Sequence, residues 1–347
     1  MRRPKVVTIG GGTGQFALLS GLRTLDVELT AIVTMMDSGG SSGRLRDEYG
    51  ILPPGDFTRC LVALSHHPTA MKELLTHRFT GGSLDGHTVR NVIFTALEQI
   101  TGDTIHTIER LHEVFDVGGR VLPVTLDPVE LVMKLENGRE YRGEATIDGL
   151  IDLLDAPVLG VGLEPNAAGF PPALQALRDA DLIVIGPGDL FTSVVPNLLV
   201  HGVADAVRAS GARIVYVCNL MTKRNETPGF TVLDFAATID RYLGGHPLDA
   251  VLYNEVWPHK QLELYASVGS RPVELGELND GRFDELCVGC DLLSEGRYIR
   301  HDPGKLAAAV AGLALERGWL DDQDGEVVRV AGGKADGVVE NLGARRR

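Results

Sequence analysis

The sequence predicts an α/β protein: a Rossmann-like, doubly wound, mainly parallel sheet carrying a small antiparallel β insert. Three observations predict this class. Short apolar runs alternate with amphipathic stretches along most of the chain, the signature of parallel strands joined by crossover helices. Several of those runs end in glycine-rich or polar turns directly before a helical pattern, as at Gly10-Gly11-Gly12-Thr13-Gly14 and Gly186-Pro187-Gly188. Around residues 120–147 the pattern changes to short strands joined by Asp127-Pro128 and Asn137-Gly138, and Asn-Gly between alternating residues is a strong hairpin signal.

The elements follow in order. Residues 6–9 read as a first buried strand, and Phe16, Leu19, Leu22 and Leu25 keep helical spacing after it. Residues 29–35 form a second strand. Residues 37–56 read as a long polar, glycine-rich loop, far beyond a usual βα connection, and loops of that length are usually functional. Helices are expected over 57–65, 70–79, 91–101 and 105–115. Strands over 121–126, 129–135 and 139–147 make the insert. The doubly wound pattern then resumes, with strands at 182–185, 213–218 and 249–253 and helices at 195–210, 232–243 and 305–317. Residues 1–320 are expected to form one domain, and 321–347 a loose C-terminal extension.

Composition narrows the function classes. Of 347 residues, 44% are hydrophobic and 23% charged, normal for a chain with a substantial core. Glycine is the outlier at 42 residues, well above the average share of about 7%, and its clustering marks places where backbone approaches something closely. A formal charge of −14 repels nucleic acid and anionic membranes. No run reaches the ~18 apolar residues that span a bilayer. The apolar run after Arg2, Arg3 and Lys5 breaks at Gly10, too short for a secretory signal. Four cysteines in this length make no disulfide framework, and the single pair Cys287-Val288-Gly289-Cys290 lacks the second pair of a zinc ribbon. Ordinary reduced thiols in the cytoplasm are expected.

Four strand ends carry the candidate chemistry. The turn at residues 10–14 offers main-chain N–H groups and a helix N-terminus to an anion. Gln15 stands where a dinucleotide fingerprint needs its third glycine, which disfavours a nicotinamide oxidoreductase, and no Gly-Lys-Ser/Thr follows. The run Asp37-Ser38-Gly39-Gly40-Ser41-Ser42-Gly43-Arg44-Leu45-Arg46 combines flexible backbone, hydroxyls and guanidinium groups suited to phosphate oxygens. Asp37 suits ribose hydroxyls or a hard metal ion, or simply a turn. Asp56, after Pro53-Pro54-Gly55, reads as an N-cap, and Arg59 one turn on is placed to face the loop. The third end is Gly186-Pro187-Gly188-Asp189 with Ser193 and Asn197 beyond. The fourth is Cys218-Asn219-Leu220-Met221-Thr222 with Glu226-Thr227. Parallel strands end on one edge of a sheet, so these four turns describe one site. His87, alone before Asn91, reads as a cap or surface group, and no metal cluster with ligand spacing is present.

At these residues the chain strongly resembles the gluconeogenesis factor family, relatives of 2-phospho-L-lactate transferase. The motifs are residues 10–14, 37–46, 52–56, 60–65, 186–200, 219–227 and Ile299-Arg300-His301-Asp302, spanning roughly residues 5–320. The resemblance implies a Rossmann-like fold in the bacterial cytoplasm, and binding of a uridine diphosphate sugar such as UDP-N-acetylglucosamine. It also implies a link to gluconeogenic growth, cell shape and wall-precursor supply. By motif, Gly12 and Thr13 would contact diphosphate or sugar, and Asp37 would serve the nucleotide. Asn197, Tyr265 and Arg300 would hold the nucleotide sugar, and a guanidinium grips a diphosphate bidentately. With the neighbouring turn residues the expected ligand set is Gly11, Gly12, Thr13, Gly14, Asp37, Gly39, Gly40, Ser41, Ser42, Arg44, Gly188, Asn197, Asn219, Thr222, Tyr265 and Arg300.

Four departures from the family pattern matter. Ser38 stands where relatives carry a second Asp, Thr58-Arg59 replaces Arg-Asn, Arg90 stands where Gly is common, and Pro303 replaces a phosphorylatable Thr. The leading expectation is a nucleotide-sugar-binding regulatory protein, without a required cofactor, that engages a regulated partner enzyme and forms a homo-oligomer. The alternative is a transferase in which Asp37 holds Mg²⁺ against a diphosphate, with Arg44 and Arg46 clamping the phosphoryl group.

Overall fold

A computed structural model describes residues 2–150, 154–245, 248–267, 269–277 and 286–320. The expected extension at 321–347 lies outside the described residues. The main sheet has seven strands: β1 (Lys5–Gly10), β2 (Glu28–Val33), β3 (Arg120–Pro123), β7 (Leu182–Ile185), β8 (Arg213–Val217), β9 (Ala250–Asn254) and β10 (Cys287–Cys290). Their spatial order is β10-β9-β8-β7-β1-β2-β3, and every pairing is parallel.

Alternation along each strand explains the continuous apolar runs. Val6, Ala31, Val33, Leu182, Val184, Val215 and Val217 enter one core, whereas Val7, Ile9, Ile32, Ile183, Ile185, Ile214 and Tyr216 enter the other. The first core is closed by α1 (Gly12–Leu22), α3 (Gly55–Leu64) and α13 (Pro303–Glu316), joined by residues of α5 (Val89–Thr101) and α6 (Thr104–Val114). The second is closed by α8 (Pro171–Arg178), α9 (Val195–Leu199), α10 (Val203–Ala209) and α11 (Val232–Tyr242). The sheet is therefore wound on both faces.

Several expected boundaries change. The polar stretch 37–56 holds a helix, α2 (Gly40–Tyr49), which ends on Gly50 at φ 68°. Its only large buried apolar side chain is Leu45, so no apolar stripe announces it. Residues 120–123 do not belong to the insert: β3 pairs in parallel with β2, because the helices from α2 through α4 (Thr69–Thr76) to α6 form the crossover between them. The insert comprises β4 (Glu130–Leu135), β5 (Glu140–Arg142) and β6 (Val158–Glu164), in the order β5-β4-β6. The third expected strand stops at Arg142 and gives way to α7 (Glu144–Asp148). The expected helix at 195–210 divides at Gly202, whose φ of 92° is left-handed. Cys287 and Cys290 bracket the edge strand β10, and all four cysteines are free.

Candidate ligand-binding site

The strand order reverses between β1 and β7, so the crossovers leave a crevice beyond their carboxyl ends, where ligands of doubly wound sheets bind. Ile9 is level with Ile185, so the turns that follow face each other. Gly12 takes φ 68°, which an L side chain rarely adopts, and α1 begins there. Gly14 has no space for a side chain, because a Cβ would strike the Pro187 carbonyl. Glycine at these two places thus sets the closeness of the two turns. A π-helical turn, Leu190–Val194, carries the chain from Asp189 into α9.

The crevice holds a cavity of about 480 Å³, within the range of small-ligand sites. Gly12, Thr13 and Gly14 form one wall, Gly188, Asp189 and Ser193 a second, and Asn219, Tyr265, Arg300 and His301 a third. The third wall is braced from within. The Ile299 N–H donates to Tyr265 Oη at 3.0 Å, which seats the residues before α13, and Asp302 caps that helix by accepting from the Lys305 N–H at 2.9 Å. Burial pushes the His301 imidazole down to about 4, against a hydrogen bond with the Cys218 backbone that works the other way. Arg300 is the exposed cation of this wall.

Acidic groups gather beside the glycine turn. Asp56 is the second residue of α3, and the N-cap is Pro54 without a side-chain bond, so the expected capping role is corrected. Its carboxylate lies against Gly11, where a Cβ would meet Asp56 Oδ2 at 2.6 Å, and it accepts from the Gly12 N–H. Burial raises its pKa; Arg59, at 3.7 Å, opposes that, and Asp37 adds to the rise. Asp37 Oδ1 accepts from the Gly39 N–H at 3.0 Å. Glu144, at the start of α7, is pushed up to about 8 by burial, then by Asp37 and Asp148. Asp37, Asp56 and Glu144 thus form an acidic group in which burial and mutual repulsion favour the protonated forms of Asp56 and Glu144.

A second acidic group is already neutralised. Asp148, Asp189 and Glu226 bring ligand oxygens within 4.8 Å of one another. Lys223 Nζ sits among them at 2.6, 2.7 and 2.7 Å. Burial alone would lower that ammonium, but the three carboxylates hold it above its ordinary value. The position is that of an internal cation, and the residues do not suit a further metal ion. Glu226 also accepts from the Phe191 N–H and the Thr192 hydroxyl, so this cluster fixes the π-helical turn.

Among the expected ligand residues, Gly12, Thr13, Gly14, Gly188, Asn219, Tyr265 and Arg300 line the cavity. Gly11, Asp37, Gly39 and Gly40 stand beside it at the acidic group and the start of α2. Ser41 and Ser42 are buried, and the Ser41 hydroxyl bonds with His87 Nδ1 at 3.0 Å. Arg44 is exposed and donates to the Asp85 carbonyl. Asn197 is fully buried behind the cavity, its Nδ2 donating to the Ser193 and Val194 carbonyls. Thr222 holds the backbone of Arg271. Sequence reasoning missed His301 as a cavity residue, and missed Lys223 and Glu144. His301 lies within a quoted motif, so that signal was available; single charged residues in polar segments gave none.

The family model described as 2-phospho-L-lactate transferase CofD matches residues 6–286. The gluconeogenesis factor of Bacillus subtilis (strain 168) is 37% identical over 325 residues, covering 91% of this chain and 99% of its own length. The chain belongs to the gluconeogenesis factor branch of the CofD family. A relative from Nostoc sp. is 43% identical over 312 residues, covering 88% of this chain and 68% of its own length. A crystal structure of a UPF0052-family protein from Bacillus halodurans superposes with a TM-score of 0.83 at 37% identity, covering 89% of this chain and 99% of that one. Among the described residues no helix is long and apolar enough to cross a membrane.

Proposed function

We propose that this chain is a nucleotide-sugar-binding regulatory protein of the gluconeogenesis factor family. The supporting observation is the cavity at the β1–β7 switch point, where a glycine turn at a helix N-terminus faces Arg300 and Tyr265 across a space of nucleotide size. The helix N-terminus that opens at Gly12–Gly14 and the Arg300 guanidinium suit the two ends of a diphosphate. Asn219 and the neutral His301 on the same wall suit the polar edge of a base or sugar. Bound there, a ligand such as UDP-N-acetylglucosamine would tie together the β1 turn, the β7 turn and the start of α13. That is the differential contact by which a ligand selects one conformation and alters a docking surface. A cytoplasmic partner enzyme read out in this way, within gluconeogenic growth, cell shape and wall-precursor supply, is the regulatory reading, and self-association belongs to the same proposal.

A second reading draws on the acidic group. With Asp37, Asp56 and Glu144 near the diphosphate position, Mg²⁺ held by Asp37 and Asp56 would supply Lewis-acid stabilisation of a phosphoryl group. In that transferase reading Arg59, beside Asp56, is the cation that orients the carboxylate. Calorimetry with UDP-N-acetylglucosamine, GDP and NAD, with and without Mg²⁺, separates the readings. Uridine-sugar binding without turnover is expected, and metal-dependent consumption of the nucleotide would favour the transferase. Arg300→Ala is expected to weaken uridine-sugar binding about tenfold or more with an unchanged far-ultraviolet spectrum; unchanged affinity removes Arg300 from the site.

A further inference from the structure

Arg90 is a side chain that the site above leaves unexplained. It is the second residue of α5, only 6% exposed. No hydrogen bond or ion pair to a described residue holds it, and its Nε is sealed from water without a partner. Burying a guanidinium without a hydrogen-bonded partner costs solvation that the Asp56 and Asp37 carboxylates offset only from a distance, which leaves room for an anion in direct contact. Burial first, then Arg59 and Arg78, push its pKa down to about 10, and the Asp56 and Asp37 carboxylates oppose that shift. Thr88, the N-cap of the same helix, is 1% exposed, and its hydroxyl neither caps the helix nor finds any other partner. The first turn of α5 therefore carries two unmet polar groups at the positive end of a 13-residue helix.

Arg59 connects this place to the glycine turn. Its Nη1 lies 3.4 Å from Thr13 Oγ1 and 3.7 Å from Asp56 Oδ1, both longer than a well-formed charged hydrogen bond. Neither Arg59 nor Arg90 lines the cavity that Arg300 serves. The buried Ser41, Thr58 and Asn91 around α5 are occupied with one another: Thr58 Oγ1 donates to Asn91 Oδ1 at 2.8 Å, and Asn91 Nδ2 donates to Ser41 Oγ at 3.2 Å. That leaves the guanidinium and the Thr88 hydroxyl as the groups with capacity to spare.

We propose that Arg90 and Arg59, at the N-terminus of α5, form a second oxyanion subsite for a phosphate-class group, across the glycine turn from the Arg300 cavity. The subsite rests on the nucleotide-sugar reading only for its role there: it holds the phosphate of a second small molecule while the cavity is filled. Free phosphate and a phosphomonoester present the same dianion, so both serve as probes.

The test is calorimetry and thermal melting of the full chain with inorganic phosphate and with glycerol 3-phosphate, first without nucleotide. Millimolar phosphate is expected to raise the Tm of the wild type. Arg90→Gln is expected to weaken phosphate binding about tenfold and Arg59→Gln to weaken it too, whereas Arg300→Ala keeps it. Tighter binding of glycerol 3-phosphate than of phosphate assigns the subsite to phosphorylated small molecules, and the reverse assigns it to the free ion. Arg90→Lys, which keeps a cation, is expected to retain part of the response if Arg90→Gln folds poorly. Phosphate affinity unchanged in both Arg90→Gln and Arg59→Gln would overturn the proposal, as would its loss in Arg300→Ala. A repeat at saturating UDP-N-acetylglucosamine is expected to leave the phosphate response in place. Failure of that nucleotide to bind overturns the nucleotide-sugar reading alone, because the first titrations do not need it.

Discussion

Glu144 shows how one side chain carries the electrostatics of the site. Burial and the nearby Asp37 and Asp148 carboxylates lift it from 4.5 to about 8. Between those values the folded chain keeps a proton that the unfolded chain has released. This group's contribution to stability is therefore present at low pH and lost as pH rises through that window. Glu144→Gln removes the dependence, so the Tm of the variant relative to the wild type is expected to climb between about pH 5 and pH 9. A constant offset across that range would show an ordinary carboxyl. Lys223 is the opposite case, a cation on which three carboxylates depend. Lys223→Met leaves Glu226, 1% exposed, without its counter-charge, and a loss of about 3–5 kcal/mol is expected in denaturant unfolding. Adding Glu226→Gln is expected to recover part of that loss, because the two changes share one interaction.

At the scale of elements, the closest approaches are made through glycine. Gly14 lets the β1 turn touch the Pro187 backbone, and Gly21 lets α1 lie against the Pro303 carbonyl at the start of α13. In both places the obstacle to a larger residue is main chain, which cannot swing aside as a side chain can. Gly14→Ala is expected to cost about 1–3 kcal/mol and to weaken nucleotide-sugar binding, since the walls of the crevice must part. Gly21→Ala is expected to cost a similar amount while moving α13, and with it Arg300. Urea melts paired with calorimetry separate the two contributions, and wild-type stability in Gly14→Ala would show that the turns are not in contact. The cluster of Lys223 works at the same scale, joining α7, the π-helical turn and the segment after β8.

At the scale of the whole molecule, the seven-stranded sheet brings turns from distant parts of the chain to one edge. A ligand in the crevice would touch residues 12–14, 187–189, 193, 219–221, 265, 299–301 and 303 together. Binding at that junction stabilises the folded state by mass action. A nucleotide sugar at a hundredfold excess over its Kd is expected to add about 2.7 kcal/mol, read as a rise in Tm, and Arg300→Ala is expected to cut that to about 1.4 kcal/mol or less at the same concentration. The insert, with its own antiparallel sheet, meets this edge through α7, so the acidic group is completed only where insert and main sheet come together.

The amino-acid sequence by itself determined the parallel strands β1, β2, β7, β8 and β9, the hairpin of β4 and β5, and the glycine turns at the strand ends. Each is written locally, in apolar runs, an Asn-Gly pair, or glycine where backbone must turn or touch. Tertiary structure alone decided the rest. Strand β6 contains Gly160 and Gly162 and is half exposed, and β10 is four residues long, so each is a strand only because a distant partner pairs with it. Helix α2 lacks an apolar stripe, and β3 joined the main sheet because the helices before it cross over the sheet. The lysine among three carboxylates and the unpartnered Arg90 have the same origin. A charge is costly or useful according to what packs around it, and most of those neighbours, such as Asp148 and Asp189 around Lys223, come from segments tens of residues away that no local pattern encodes.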